Sequence, residues 1–281
     1  MKLLRFGPAG HEAPGAIDAH GNIRDLTGVV PDYFGADISC DAIARIAALD
    51  LTQYPIVDPS TRIGACVADT RNFYCVGLNY ALHAAESGLD APSEPVLFNK
   101  ASSSLSGPND NVIIPRRSVK TDWEVELGVV IGREALYVDE ADALNYVAGY
   151  CLINDVSERE FQIEKGGQWV KGKSAPTFGP IGPYLVSADE IPDPQTLRLQ
   201  LALNGEVVQD SNTSDMIFSV REIVAYMSQF MRLMPGDIIT TGTPSGVGLG
   251  MNPQRFLKPG DVMELEIDGL GQQRQVAVAA D

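Results

Sequence analysis

Trp123-Glu124-Val125-Glu126-Leu127-Gly128-Val129-Val130-Ile131 is the stretch from which the rest of the chain can be read. Its odd positions, Trp123, Val125, Leu127, Val129 and Ile131, are all apolar, while the even positions after Asp122 begin with Glu124, Glu126 and Gly128. A period of two is the mark of a β-strand. Residues two apart share one face of a strand, so Glu124 and Glu126 project side by side. Two readings fit that pair: the solvated acidic face of a half-buried strand, or part of a cation site.

The next informative segment is Tyr146 to Ile153, a continuous apolar run that predicts a strand buried on both faces. It ends at Asn154-Asp155. A carboxylate at the end of a buried strand is costly unless it is paired or binds a metal. Asp155 could instead cap the polar segment Val156 to Gln162. Three carboxylates meeting at one point repel unless a cation joins them. Oxygen donors without cysteine favour Mg²⁺, Mn²⁺ or Ca²⁺ over a structural Zn²⁺.

Outward from these strands the texture stays largely β. Strands are expected at Leu3–Phe6, Phe73–Gly77, Val96–Phe98, Val112–Ile114, Leu197–Leu203, Ile238–Thr241 and Val262–Ile267. Ala16–Ala19 and Ile23–Leu26 flank His20-Gly21-Asn22 as a hairpin. Helices are expected at Cys40–Leu49, with Ser39 as N-cap, at Ala81–Glu86, and at Arg221–Met234, where Ile223, Met227, Phe230 and Met234 form one stripe. Pro55, Pro59 and Gly64 punctuate a linker. The expectation is a small N-terminal α+β domain over 1–68 and a catalytic domain over 69–281. The whole is mixed, β-rich and largely antiparallel α+β, not a doubly wound sheet.

The charge balance excludes some partners. With 21 basic and 37 acidic residues in 281, the formal net charge is −16. Nucleic acid and anionic membrane surfaces are themselves polyanions, so neither is an expected partner. Cys40, Cys66, Cys75 and Cys151 show no metal-ligand spacing and read as buried thiols in a reducing cytosol. Met1 to Gly7 is too short and polar for a signal peptide, and no run reaches the roughly 20 apolar residues of a membrane span. A cytoplasmic globular protein is expected. Val247-Gly248-Leu249-Gly250 is no phosphate loop, because the Lys-Ser/Thr that would follow is missing.

Of three histidines, His11 and His20 fall in turn-rich surface settings. His83 lies three residues before Glu86 on the short helix that follows Gly77-Leu78-Asn79-Tyr80. Residues i and i+3 share a helix face. A carboxylate there orients the imidazole and raises its basicity, which is how a general base is built.

Taken together, Gly77-Leu78-Asn79-Tyr80, His83-x-x-Glu86, Glu124-x-Glu126, Asn154-Asp155, Lys173-Ser174 with Thr177-Phe178, and Thr241-Gly242-Thr243-Pro244-Ser245-Gly246-Val247-Gly248 resemble the fumarylacetoacetate hydrolase family over about residues 70 to 270. The resemblance implies a β-roll catalytic domain and Mg²⁺ or Mn²⁺ held by Glu124, Glu126 and Asp155. It implies a catalytic His83–Glu86 dyad with Lys173, and substrate contacts from Gln162, Thr177 and Thr243. The implied substrate is a 2-oxo or diketo acid, and the implied assembly a homodimer. Lys171-Gly172-Lys173-Ser174 reads as a loop whose Lys173 offsets the excess negative charge. Asp155 to Thr177, rich in glycine, is expected to act as a mobile lid. Asn154 to Arg159 and Gly166-Gly167-Gln168-Trp169 look most like the bacterial branch of diketo-deoxy-sugar-acid hydrolases and proteins labelled ureidoglycolate lyase. Hydrolysis of a diketo sugar acid is therefore the favoured activity, with isomerase, decarboxylase and ureidoglycolate lyase reactions as alternatives. Pro176 replaces an Asp common in bacterial relatives, and Leu78 stands where acylpyruvase-like members often carry Arg.

Overall fold

The computed structural model describes every residue except Ser87 and Leu89. Its main strands are β1 (Lys2–Phe6), β2 (Ala13–Ile17), β3 (Ile23–Asp25), β4 (Phe73–Gly77), β5 (Val96–Lys100), β6 (Val112–Ile114), β7 (Val125–Ile131), β8 (Val147–Asn154), β9 (Leu185–Ser187), β10 (Arg198–Leu203), β11 (Glu206–Asn212), β12 (Ile238–Thr240), β13 (Val262–Ile267) and β14 (Gly271–Ala279). The helices are α1 (Cys40–Ala47), α2 (Ala81–Glu86), α3 (Val170–Lys173) and α4 (Val220–Ser228). Among the described residues a nine-stranded sheet runs β3-β2-β1-β9-β8-β7-β12-β4-β5, and a five-stranded sheet runs β11-β10-β13-β14-β6. Within these two sheets pairing is antiparallel except for β12 with β4 and β14 with β6. The mixed, strand-rich α+β class expected from the sequence is the one observed.

Strand β7 explains how the layers stack. Its odd face, Val125, Leu127, Val129 and Ile131, packs with Leu199, Leu201, Met263 and Leu265 of the five-stranded sheet and with Ile223 and Met227 of α4. Its even face is not solvated, as one reading of the alternation allowed. Val130 packs into a second core with Leu3, Tyr33, Ile43 and Ile46 from the first 50 residues. Residues 1–68 thus add strands to the catalytic sheet through β1 and β9, and cover one of its faces. No helix among the described residues is long and apolar enough to cross a membrane.

Two elements depart from the sequence reading. Helix α4 begins in a capping box between Ser219 and Glu222 but stops at Ser228, six residues before Met234. Beyond it Leu233 is drawn into a two-way backbone bridge with Ala135 (3.0 Å each way), which competes with helical hydrogen bonding. Phe230, expected on the buried stripe, is 65% exposed. Strand β11 lacks apolar alternation, and it pairs along the edge that β10 offers.

Candidate active site

The register of β8 on β7 builds the carboxylate cluster. Asn154 lies opposite Val125, Asp155 N–H donates to the Glu124 carbonyl (2.9 Å), and Asn154 Oδ1 accepts from Glu124 N–H (3.2 Å). These bonds bring one carboxylate oxygen each from Glu124, Glu126 and Asp155 within 4.8 Å of one another, all buried. Asp155 caps no helix, since a two-residue strand, Ser157–Glu158, follows it.

Buried cations surround this group. Lys173 Nζ donates to Glu124 Oε2 (2.8 Å) and Asp155 Oδ2 (2.7 Å), Lys100 Nζ donates to Asp155 Oδ1, and Arg159 pairs with both Asp122 (2.8 Å) and Glu124 (2.7 Å). Lys173 lies at the end of the single turn α3 where a loop was expected, and is buried against Glu124 and Asp155, the negative charge it was expected to offset. Burial and the flanking lysine drive Lys100 down despite Asp155. Burial opposes the charge of Lys173, but Asp155 and Glu124 more than compensate and hold its ammonium above the usual range. Burial likewise opposes ionisation of Glu124, and Lys173 and Arg159 overcome it, so this carboxyl sits below its ordinary range. Glu126 goes the other way. Burial and the charges of Asp155 and Glu124 push it well above the carboxylate range, although Gly242 N–H donates to its Oε2 (2.9 Å). A buried carboxyl pushed up by two neighbouring carboxylates, in an all-oxygen donor set, fits a divalent cation.

The imidazole of the base pair lines the same cavity as Glu124 and Glu126. His83 Nδ1 and Glu86 Oε1 are 2.8 Å apart, and Glu86 Oε2 accepts from Gly246 N–H (2.9 Å). A carboxylate can only accept, so the neutral imidazole carries its proton on Nδ1 and leaves Nε2 free. Asn79 locks the approach to this helix. Its side chain donates to the carbonyls of Phe218 and Thr241 (2.9 and 2.8 Å) and accepts from Phe218 N–H (2.8 Å). Gly242 must be glycine twice over: its φ is +96°, and a Cβ would lie 2.7 Å from that of Asn79.

A cavity of about 300 Å³ joins His83, Glu124, Glu126, Arg159, Gln162, Lys173 and Thr243. Gln162 Oε1 accepts from Arg159 Nη1 (3.1 Å). The Thr243 hydroxyl is already engaged, donating to the Val125 carbonyl (3.0 Å) and accepting from Gln209 (2.8 Å). Thr177 does not reach this cavity. Its hydroxyl accepts from Ile113 N–H (2.8 Å), and it lines a separate polar groove beside Arg71 and Ser102. His11 and His20 are exposed, as expected. The sequence reading gave no role to Lys100 or Arg159, and none beyond the branch resemblance to Trp169. The signal for Lys100 was one charge closing a strand that opens with Val96-Leu97-Phe98. Arg159 stands four residues after Asp155, within a segment already recognised.

The match to the fumarylacetoacetate (FAA) hydrolase C-terminal family model covers residues 72–278, and so includes every residue of this site. The chain belongs to the fumarylacetoacetate hydrolase family. A Burkholderia ambifaria relative, named a hydrolase in provisional terms and without a stated substrate, is 58% identical over 98% of both chains. Among solved structures, the fumarylacetoacetate hydrolase of Exiguobacterium antarcticum is 35% identical over the whole of both chains, with a TM-score of 0.87. The maleylpyruvate hydrolase of Sphingobium sp. SYK-6, solved with manganese(II) and pyruvate, is 28% identical over the whole of both chains, with a TM-score of 0.83. In this family setting, the acidic group of Glu124, Glu126 and Asp155 is a place where a metal can bind.

Proposed function

We propose that the protein is a divalent-metal-dependent hydrolase that cleaves a carbon–carbon bond in a 2,4-diketo acid of the acylpyruvate type. The observation that carries this reading is that His83, held by Glu86, lines the same cavity as Glu124 and Glu126 of the carboxylate triad. Metal chelation alone serves isomerases and decarboxylases equally well, whereas an oriented base suits attack by water. Glu124, Glu126 and Asp155 would hold Mg²⁺ or Mn²⁺. Bound there, the ion supplies Lewis acidity toward a 2-oxo group and its adjoining carboxylate.

The chain's own groups do the rest. His83 Nε2 takes a proton from water, and the resulting hydroxide attacks the distal carbonyl. Glu86, itself anchored by Gly246, stabilises the imidazolium that forms. Lys173 and Arg159 place positive charge beside the departing enolate, which takes up the proton as pyruvate leaves. The other product is the carboxylic acid of the acyl group, with one oxygen from water. The manganese and pyruvate in the maleylpyruvate hydrolase support this reading of the inner end of the site.

The test is a substrate panel with Mn²⁺ or Mg²⁺ in H₂¹⁸O: acylpyruvates, a 2,4-diketo sugar acid, oxaloacetate, ureidoglycolate and 2-hydroxyhepta-2,4-diene-1,7-dioate. Release of pyruvate and a singly ¹⁸O-labelled acid is expected to be fastest. A product of unchanged mass, or ureidoglycolate consumed fastest, overturns the proposal.

A further inference from the structure

We infer that the preferred substrate carries a single carboxylate and an apolar acyl tail; this deepens the acylpyruvate reading above and rests on it. The cavity has two unlike ends. His83, Glu124, Glu126, Arg159, Gln162, Lys173 and Thr243 are all buried and make its floor. Its remaining wall is Val76, Gly77, Leu78, Phe98, Ile163, Trp169, Gly242 and Leu249, without a charged side chain, and all but Val76 and Gly242 are partly or fully exposed.

That wall is a built feature. Trp169 meets Phe98 edge to face, with centroids 5.1 Å apart, and the same Phe98 ring lies 5.0 Å under Lys173 Nζ. The indole can lie there only because residue 77 is glycine: a Cβ at Gly77 would stand 2.5 Å from Trp169. Leu78 holds its place with φ at +56°, a conformation that L-residues rarely adopt. Strain of this kind persists where the surroundings over-determine it, and often at ligand sites. Ile163 is 51% exposed at the rim, apolar surface that a bound tail would cover.

The charges favour a monoacid. Four buried carboxylates, Asp122, Glu124, Glu126 and Asp155, face three buried cations, Lys100, Arg159 and Lys173. A divalent ion and one substrate carboxylate balance that cluster; the half-buried Glu86 lies outside it, paired with His83. A second carboxylate at the far end of the substrate would find no cation on the apolar wall. Hydroxyl groups would find few acceptors there: Gln162 Oε1 and the Thr243 hydroxyl already have partners, which leaves the side-chain N–H groups of Gln162 and Trp169 as uncharged donors. Each methylene buried on the wall is worth about a fourfold gain in affinity.

The test pairs binding with turnover. Calorimetry on the Mn²⁺-loaded protein compares 2-oxoheptanoate with 2-oxoadipate, two acids of similar length that have no 4-keto group to cleave. The apolar acid is expected to bind at least tenfold tighter, with Trp169→Ala narrowing the gap and Leu78→Arg reversing it. In turnover, kcat/KM is expected to rise from acetylpyruvate to longer alkyl acylpyruvates and to fall for fumarylpyruvate and, contrary to the expectation from the branch resemblance, for a 2,4-diketo sugar acid. Equal affinities in the wild-type protein, or tighter 2-oxoadipate, overturn the inference without any variant having to fold. If the binding preference holds but no acylpyruvate releases pyruvate, the hydrolase reading fails and the tail preference stands.

Discussion

Glu126→Gln separates the two consequences of burying a carboxyl among like charges. In the metal-free protein, burial and the charges of Asp155 and Glu124 raise the Glu126 carboxyl well above its ordinary range. The unfolded chain then binds fewer protons than the folded one between the ordinary glutamate pKa and the raised folded value. Stability therefore falls as pH climbs through that window, and is highest below it. Glutamine keeps an acceptor for Gly242 N–H and nearly the same shape, but has no proton to hold. Without metal at pH 7.5, Glu126→Gln is expected to be more stable than wild type by about 1–3 kcal/mol, the scale of an uncompensated buried polar group. The advantage should vanish toward pH 4. The same substitution removes a charged ligand oxygen, so Mn²⁺ affinity should fall by more than the roughly 10–100-fold typical of losing an outer hydrogen-bond partner. Denaturant melts in EDTA at both pH values, with Mn²⁺ calorimetry at pH 7.5, read both effects. Wild type should also release a proton on taking up Mn²⁺, seen as a dependence of the heat on the buffer. A metal-free variant less stable than wild type at pH 7.5, or an unchanged Mn²⁺ affinity, would refute the reasoning.

Other parts of the site give separable expectations. His83→Ala should retain Mn²⁺ binding by calorimetry while hydrolysis drops roughly 10²–10⁴-fold, the usual contribution of a general base; activity within a few-fold of wild type would remove His83 from that role. Lys173→Met deletes the partner of both Glu124 and Asp155. The metal-free protein should lose about 3–5 kcal/mol in denaturant melts, while Mn²⁺ binding tightens because a competing cation is gone. The exposed stretch 163–168, at the apex of the segment from Asp155 to Thr177, should be nicked by protease more slowly when Mn²⁺ and oxalate are bound. Equal nicking rates would argue against a lid.

Much of the fold was legible because the strands carry local signatures. The period of two in Trp123 to Ile131 and the unbroken apolar run to Ile153 needed nothing beyond neighbouring residues. The signals that failed were local ones overridden from a distance. The stripe from Ile223 to Met234 is helical in pattern, yet the bridge between Leu233 and Ala135 takes the backbone groups a longer helix would need. Lys171-Gly172-Lys173 reads as a loop, yet it forms a helical turn whose second lysine stands 2.8 and 2.7 Å from Glu124 and Asp155.

What the sequence determined by itself was the chemistry on offer: two glutamates on one strand face, an Asp at a buried strand end, and a histidine one helical turn from a carboxylate. The family resemblance joined them into one site before any coordinates did. Tertiary structure alone decided the charge state and the shape. Gly242 reaches Glu126 across 116 residues of chain, and Lys100 reaches Asp155 across 55. Side-chain direction is fixed by the backbone period, but encounters at that separation depend on the register of non-local ladders. For the same reason the sequence left the far wall of the cavity unread. Gly77, Phe98 and Trp169 come from three separate segments, and only their packing makes them one apolar surface.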